Sequence, residues 1–391
     1  VGIAPGLYLN ESNYVTSNAG SEGWGDYIDG ANYGGTIRRS DVQGNPNLKV
    51  ERVTETEVGF DSRFFDNKLT VGFTYYDRTT TDGILNLETP PSTGFTSRYA
   101  NAAEISNNGI EFDFSYDLYS NNDFKVNVFG NFTRYKNIVT KLPEVSRIVL
   151  NGFTSTGSVV KEGEPFSAIF GGAWLRDSAG ALDLDASGFP QVAPEQTVIG
   201  DPNPDFRAGL GANVDYKSIN FSFLFETSQG NDMWGGTQGV LNHFGTSVET
   251  AVESVAPVDL PIYSSSSVIP AGTTFRGNIE DFGGGPVALD QSWYTSNGGG
   301  FGNVGELFVK DASWVKLREI SLNYNLSSKL LNFMGAKSGQ IGVAGRNILI
   351  YSPFKGIDPE VNLTGASKGR GLDYFTNPGT SSMLFNLKLE F

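Results

Sequence analysis

SSMLFNLKLEF, residues 381–391, decides the fold. Met383, Phe385, Leu387, Leu389 and Phe391 share one parity; Leu384, Asn386, Lys388 and Glu390 share the other. Successive side chains of a strand point to opposite faces. This stretch therefore predicts a strand with one face almost wholly apolar and the other mostly polar. It stops on an aromatic residue, as a lipid-facing barrel strand does.

The same alternation recurs upstream at residues 53–64, 69–78, 109–119, 124–136, 208–216, 219–227, 313–326 and 338–350, which makes nine predicted strands. In 109–119, Ile110, Phe112, Phe114, Tyr116 and Leu118 oppose Glu111, Asp113, Ser115 and Asp117. In 219–227, Ile219, Phe221, Phe223 and Phe225 oppose Asn220, Ser222 and Glu226. The connections alternate in length. FDNK, SNND and KS are tight, with Asn67, Asn121 and Asn122 as turn formers, and SSKLLNFMGAK lies on the same side. The others, residues 79–108, 137–207, 228–312 and 351–380, are long and rich in Gly, Pro, Ser and Asp. Short turns on one side and long loops on the other describe an antiparallel transmembrane β-barrel with periplasmic turns and extracellular loops.

Composition narrows the class further. No apolar run approaches the ~18–20 residues of a membrane-spanning helix, whereas a barrel needs only alternate residues to be apolar. With Cys 0 and His 1, disulfides, thiolate metal sites, cysteine nucleophiles and histidine metal clusters are excluded. A net charge of −15 argues against nucleic acid as a partner and suits acidic, solvated loops.

The strand count adds a constraint. If residues 381–391 run toward the periplasm, so do residues 53–64, and nine strands cannot close a bacterial single-chain barrel, whose strand number is even. At least one rising strand is expected before residue 53, in residues 1–50 or in preceding chain. An open edge in lipid would leave about ten backbone groups unpaired at several kcal/mol each, more than any net folding stability. The soluble alternative is a secreted β-rich adhesin or carbohydrate-binding module. Two features oppose it: runs of Phe and Tyr without small residues to interdigitate, and polar faces rich in Gly, Asn and Ser.

Segments along residues 40–391 resemble the C-terminal barrel half of the SusC/RagA family of TonB-dependent outer-membrane transporters of Bacteroidetes. They include GNPNLKVERVTETEVGFDSRFFDNKLTVGFTYYDRTTTDGI (44–84), NNGIEFDFSYDL (107–118), FGNFTRYKNIVTKL (129–142), GDPNPDFRAGL (200–210), GNDMWGGTQGVLNHFG (230–245), VKLREISLNYNL (315–326) and VAGRNILIYSPFKGIDPEV (343–361). The resemblance implies that residues 1–391 are one all-β unit, the C-terminal portion of a barrel of about 22 strands. The plug and the TonB-engaging segment would lie in chain outside these residues. It also implies import of glycans or peptides, a SusD-like surface lipoprotein as partner, no enzymatic activity, and a terminal Phe391 strand that signals barrel assembly.

Candidate chemical sites are few. DLDASG (183–188) has Asp183, Asp185 and Ser187 at alternating positions before Gly188, the start of a calcium loop, but Pro194 stands where the bidentate Glu belongs. A metal-free polar turn is the competing expectation, and no other cofactor is indicated. GGGFG (298–302) lacks a P-loop lysine and reads as loop. His243 with Ser247 and Glu249 falls in a loop, not on the rigid scaffold that a catalytic triad needs. Lys125, Arg134, Glu111, Asp113, Glu319 and Arg318 are expected to line the lumen. Lys316 and Arg318 break parity with Glu319, which suggests charges snorkelling at an interface. Trp174, Trp234, Trp293 and Trp314 are candidates for exposed solute stacking, for an interfacial girdle, or for packing inside the loops.

Overall fold

The computed structural model describes residues 2–3, 9, 11–12, 14–17, 36–153, 155–297, 304–365 and 370–391. Nine long strands lie side by side in chain order: β1 (Glu51–Phe64), β2 (Leu69–Glu88), β3 (Ser97–Ser120), β4 (Phe124–Lys141), β5 (Phe206–Tyr216), β6 (Ile219–Gln229), β7 (Trp314–Asn325), β8 (Ser338–Tyr351) and β9 (Ser382–Glu390). All eight pairings are antiparallel. Each predicted strand is present. Gly2–Ile3 pairs antiparallel with Glu51–Arg52, in the direction expected of a strand rising before residue 53.

Register shows how the two faces are built. Phe60, Phe73, Phe112 and Phe132 stand opposite one another across β1 to β4. Two neighbouring residues down, Val71, Phe114, Gly130, Leu210, Phe225 and Leu317 form another row across β2 to β7. Gly130 is required there: a Cβ would come within 2.8 Å of the Phe114 ring. Cross-strand pairs on one face are the unit of sheet stabilisation, and the rings touch across strands, with Phe60–Phe73 centroids at 5.8 Å and Phe132–Phe206 at 5.5 Å. Yet among the described residues no second layer covers this face. Phe112, Phe114, Phe221 and Phe223 belong to none of the six apolar clusters, and Phe60 and Phe385 are 53% and 79% exposed. A face this apolar and this bare is made for hydrocarbon.

The band has limits that the register reveals. Val58, Tyr75, Ile110 and Arg134 share one outer row, and the next row up is Thr56, Asp77, Asn108 and Lys136. Arg134 is therefore not a lumen residue: it follows the parity of Phe132 and stands at the upper rim of the band. From Ile110 to Leu118, at ~3.3 Å per residue and about 40° of tilt, the apolar face spans about 20 Å between its end residues, comparable to the ~25 Å expected once the end side chains are included. At the short-turn end, exposed Phe65, Tyr119, Tyr216, Tyr324 and Phe391 make an aromatic rim. The tight turns are bent as their residues allow. Phe65, Asp66 and Asn67 have φ of 55°, 57° and 64°, and the Asn121 carboxamide accepts the Asp123 and Phe124 amides at 2.9 and 2.7 Å. The fourth connection holds a short helix, Ser328–Met334, ended by left-handed Gly335.

One expected loop is not a loop. Residues 79–88 and 97–108 extend β2 and β3 beyond the band, and only residues 89–96 turn the chain. Both faces of that extension meet water or other loops, so the alternation that marks lipid-facing strands is no longer needed. Leu87, Ala100, Ala102 and Ala103 pack there with Val139, Leu142, Ile148 and Val160. The dry cores of this protein thus lie in the long-loop layer. Val309–Asp311, Asp232–Gly235 and Leu372–Asp373 form a small sheet that joins the connections on either side of β7 and β8.

Substituting Phe114→Arg should destabilise the protein in lipid by about 2–4 kcal/mol, whereas Ser115→Arg, one residue on and facing inward, should cost under about 1 kcal/mol. Denaturant midpoints of the two variants in lipid vesicles read the difference.

Candidate functional site

The inner face is mostly polar, with a few aromatic residues among its rows. One row reads Thr74, Glu111, Thr133, Arg207, Ser228 and Trp314 from β2 to β7. The next reads Gly72, Asp113, Asn131, Gly209, Glu226 and Lys316. These rows border a concavity of about 560 Å³, lined among others by Glu111, Asp113, Arg207, Glu226, Arg318 and Glu360. Glu360 does not come from a strand. It belongs to the connection between β8 and β9, which reaches down onto the wall.

Two register shifts prepare that contact. Leu224 and Phe225 face Glu319 and Leu317, so Arg318 is an extra residue in β7. Across the next ladder Leu317 and Glu319 face Leu349 and Arg346, so β8 carries an extra residue as well. The β7 bulge resolves the parity break at Lys316, Arg318 and Glu319. All three can face inward, while Val315, Leu317, Ile320 and Leu322 keep the outer face apolar. Asn347 sits at the β8 bulge with φ of 51°.

An ionic cluster fills the space. The Lys316 ammonium donates to Asp358 at 2.9 Å and to Glu360. The Arg318 guanidinium forks onto Glu360, reaches Asn347 at 3.2 Å and pairs with Glu226. Both cations lie over the Trp314 ring, at 5.3 and 4.9 Å from its centroid. Arg346 pairs with Glu319 at 3.0 Å. The Asp358 carboxylate also accepts the Glu360 and Gly379 amides, at 3.1 and 3.2 Å. Lys316 and Asp358 side chains are only 6% and 12% exposed. Lys316 is therefore a buried, doubly paired cation rather than one snorkelling to an interface.

Burial alone would raise both loop carboxyls. The Lys316 hydrogen bond and charge at Asp358 outweigh it, as do Arg318 and Lys316 at Glu360, and both groups lie below the ordinary carboxylate range.

Among the other expected residues, Glu111, Asp113, Lys125, Arg318 and Glu319 line the inner face. The turn at Asp183, Asp185 and Ser187 is closed by its own backbone: the Asp185 carboxylate accepts the Ser187 and Phe189 amides at 2.8 and 3.0 Å, and Gly188 has φ of 89°. Asp177 and Asp281 cap similar turns, and among the described residues no three His, Cys, Asp or Glu converge as a metal cluster. His243 Nδ1 meets the Thr295 carbonyl at 2.9 Å, while Ser247 accepts from the Glu249 amide and the Gln238 carboxamide. Residues 298–302 fall outside the described residues except as sequence. The four candidate tryptophans are buried: Trp174 and Trp293 stack at 5.7 Å within the loops, Trp234 is fully enclosed, and Trp314 supports the ionic cluster. They are packing residues, and the rim is made by Tyr and Phe instead.

Sequence reading missed inner-face aromatics. Tyr76 and Tyr135 flank Gly109, and Phe129 covers Gly211, where a Cβ would lie 2.5 Å from the ring. The available signal was an aromatic on the polar parity paired with a glycine on the next strand. Asp358 and Glu360 carried no signal, because their partners are more than forty positions away.

An ordered antiparallel wall with a lipid-compatible outside and a polar inside defines a transmembrane β-barrel protein. The family model "TonB dependent receptor-like, beta-barrel" matches residues 11–348, and the chain belongs to that family. The family is one of outer-membrane transporters rather than enzymes. TonB-dependent receptor P3 of Formosa agariphila is 26% identical over 377 residues, covering 89% of this chain and 35% of that protein. TonB-dependent receptor SusC of Bacteroides thetaiotaomicron is 22% identical over 364 residues, covering 89% and 32%. The solved RagAB peptide transporter shares the fold, with a TM-score of 0.67 at 18% identity over 98% of this chain and 39% of that one. The chain spans about a third of the length of the curated relatives it matches.

Replacing Lys316 by Met strands the buried Asp358 carboxylate, while Glu360 keeps Arg318, and should lower stability by about 3–5 kcal/mol; thermal unfolding in detergent measures it. Because both carboxyls are depressed in the folded state, their contribution is complete above the unfolded carboxylate range and is lost as pH falls through the folded values. The unfolding midpoint should hold from neutrality to about pH 4.5 and fall below it. In an Asp358→Asn/Glu360→Gln variant it should start lower at pH 7 and fall less steeply in acid.

Proposed function

We propose that this chain is the C-terminal part of the barrel of a TonB-dependent importer that carries a large nutrient, a glycan or a peptide, across the outer membrane. The observation that carries the reading is the nine-strand meander whose outer face is bare and apolar and whose inner face is mostly polar from β1 to β9, within a transporter family. The wall supplies a wet path through lipid. Unpaired backbone along the edges of β1 and β9 cannot face hydrocarbon, so further strands of the same protein close the ring. Energy comes from TonB through a plug in that remaining chain, and no bond is made or broken by these residues. The long-loop layer, with its own cores, gives a SusD-like lipoprotein a firm surface to meet. The likeness to the RagAB peptide transporter supports peptides as one solute class. The secreted adhesin is disfavoured because its apolar strand faces would need a second layer.

Deleting tonB in a cell expressing the full-length protein should abolish energised uptake of its nutrient while leaving the protein in the outer membrane. Unchanged uptake would point to a passive porin. Recovery of the protein from the medium without detergent would point to the adhesin.

A further inference from the structure

The connection between β8 and β9 is described over residues 352–365 and 370–381, and it does not behave as a surface loop. It is tied at its descending limb, its return limb and its end. Asp358 and Glu360 are held by Lys316 and Arg318 on the inner wall. Leu372–Asp373 is a strand of the small sheet beside Trp234. Thr380 and Ser381 bond Asn347, whose carboxamide donates to the Thr380 carbonyl at 3.3 Å and whose carbonyl accepts the Ser381 hydroxyl at 2.6 Å. Phe354 is buried against Met233 and Ala312, which fixes the start of the descending limb.

We infer that the Phe354–Glu360 limb is a strap latched to the lumen wall by Lys316 and Arg318, and that it sets the width and charge of the upper solute path. This second clause rests on the transport reading. Three features converge on it. Both bulges of the sheet's second half fall at the latch, and a bulge re-aims side chains at the cost of ladder hydrogen bonds. Lys316 is buried, and a buried cation with two carboxylates holds a single geometry well because any displacement leaves charge unpaired. The amides of Glu360 and Gly379 both close on Asp358, so that one side chain ties the descending limb to the return limb. Glu360, held by both cations, then stands with Glu226, Glu111, Asp113 and Arg207 around the same concavity, so the strap contributes to the charge of that space.

The latch can be tested without reference to transport. This chain has Cys 0, so single cysteines at Lys355, exposed on the strap, and Asn122, in a turn at the other end, can carry nitroxide labels in a cysteine-free background of the full-length protein. Pulsed dipolar spectroscopy in outer-membrane vesicles should give one narrow distance population. Asp358→Asn/Glu360→Gln should lose it in a barrel that still shows heat-modifiable gel mobility, and Lys316→Arg should keep it. A broad distribution in the parent, or a narrow one in the double variant, overturns the latch. A second arm measures TonB-energised uptake of two labelled peptides of equal length and opposite charge. The double variant should shift the ratio toward the anionic peptide; an unchanged ratio in an active transporter overturns the role in the solute path. No energised uptake by the parent sinks the transport reading instead, while the spectroscopic arm still judges the latch.

Discussion

Backbone hydrogen bonding without water governs this structure. A strand in hydrocarbon must find partners on both sides, because each unsatisfied amide or carbonyl costs several kcal/mol. The meander satisfies that demand in the simplest way, each strand bonding to those before and after it in the chain. Everything else follows from what the two faces of such a wall touch. The outer face needs only bulk and apolarity, so Phe and Tyr can sit opposite one another without the interlocking a core requires. The inner face can keep Gly, Asn and Ser, and it tolerates Phe129 and Tyr135 wherever a neighbouring glycine leaves room.

Conventional cores have moved elsewhere. Trp234, Phe189, Leu260 and Ile169 are fully enclosed, and all lie in the connections. This inverts the soluble pattern: the strands are stabilised by their surroundings and the loops by their own packing. Such loops are firm. The small sheet across Val309–Asp311, Asp232–Gly235 and Leu372–Asp373 couples separate connections into one layer. The Lys316 cluster then couples that layer to the wall. An outward-facing layer held like this can present a defined surface to a partner and a defined opening to a solute.

Charge placement follows the same division. Arg134 and Lys136 mark where the outer face leaves the apolar band, at the level of Ile110 and Asn108. Lys316 and Arg318, by contrast, turn inward, and extra residues in β7 and β8 make that compatible with an unbroken apolar outside. A cation at the wrong parity would face hydrocarbon; the bulge removes the conflict.

The sequence by itself determined the nine strands, their order and their faces. Period-two alternation such as that of 109–119 is imposed by lipid on one side and water on the other, and it is a local property of the chain. Charge rather than alternation misplaced Arg134: it shares the outer parity of Phe132 but stands above the band, where the outer face meets water instead of lipid. Alternation ended β2 and β3 early, because above the band no solvent asymmetry enforces it. Tertiary structure alone decided where Asp358 and Glu360 go, why Trp174, Trp234, Trp293 and Trp314 are buried, and which of the polar-face residues bind one another. Those outcomes depend on side chains forty or more positions apart meeting in a space that two bulges create, and no local pattern encodes a distance in space.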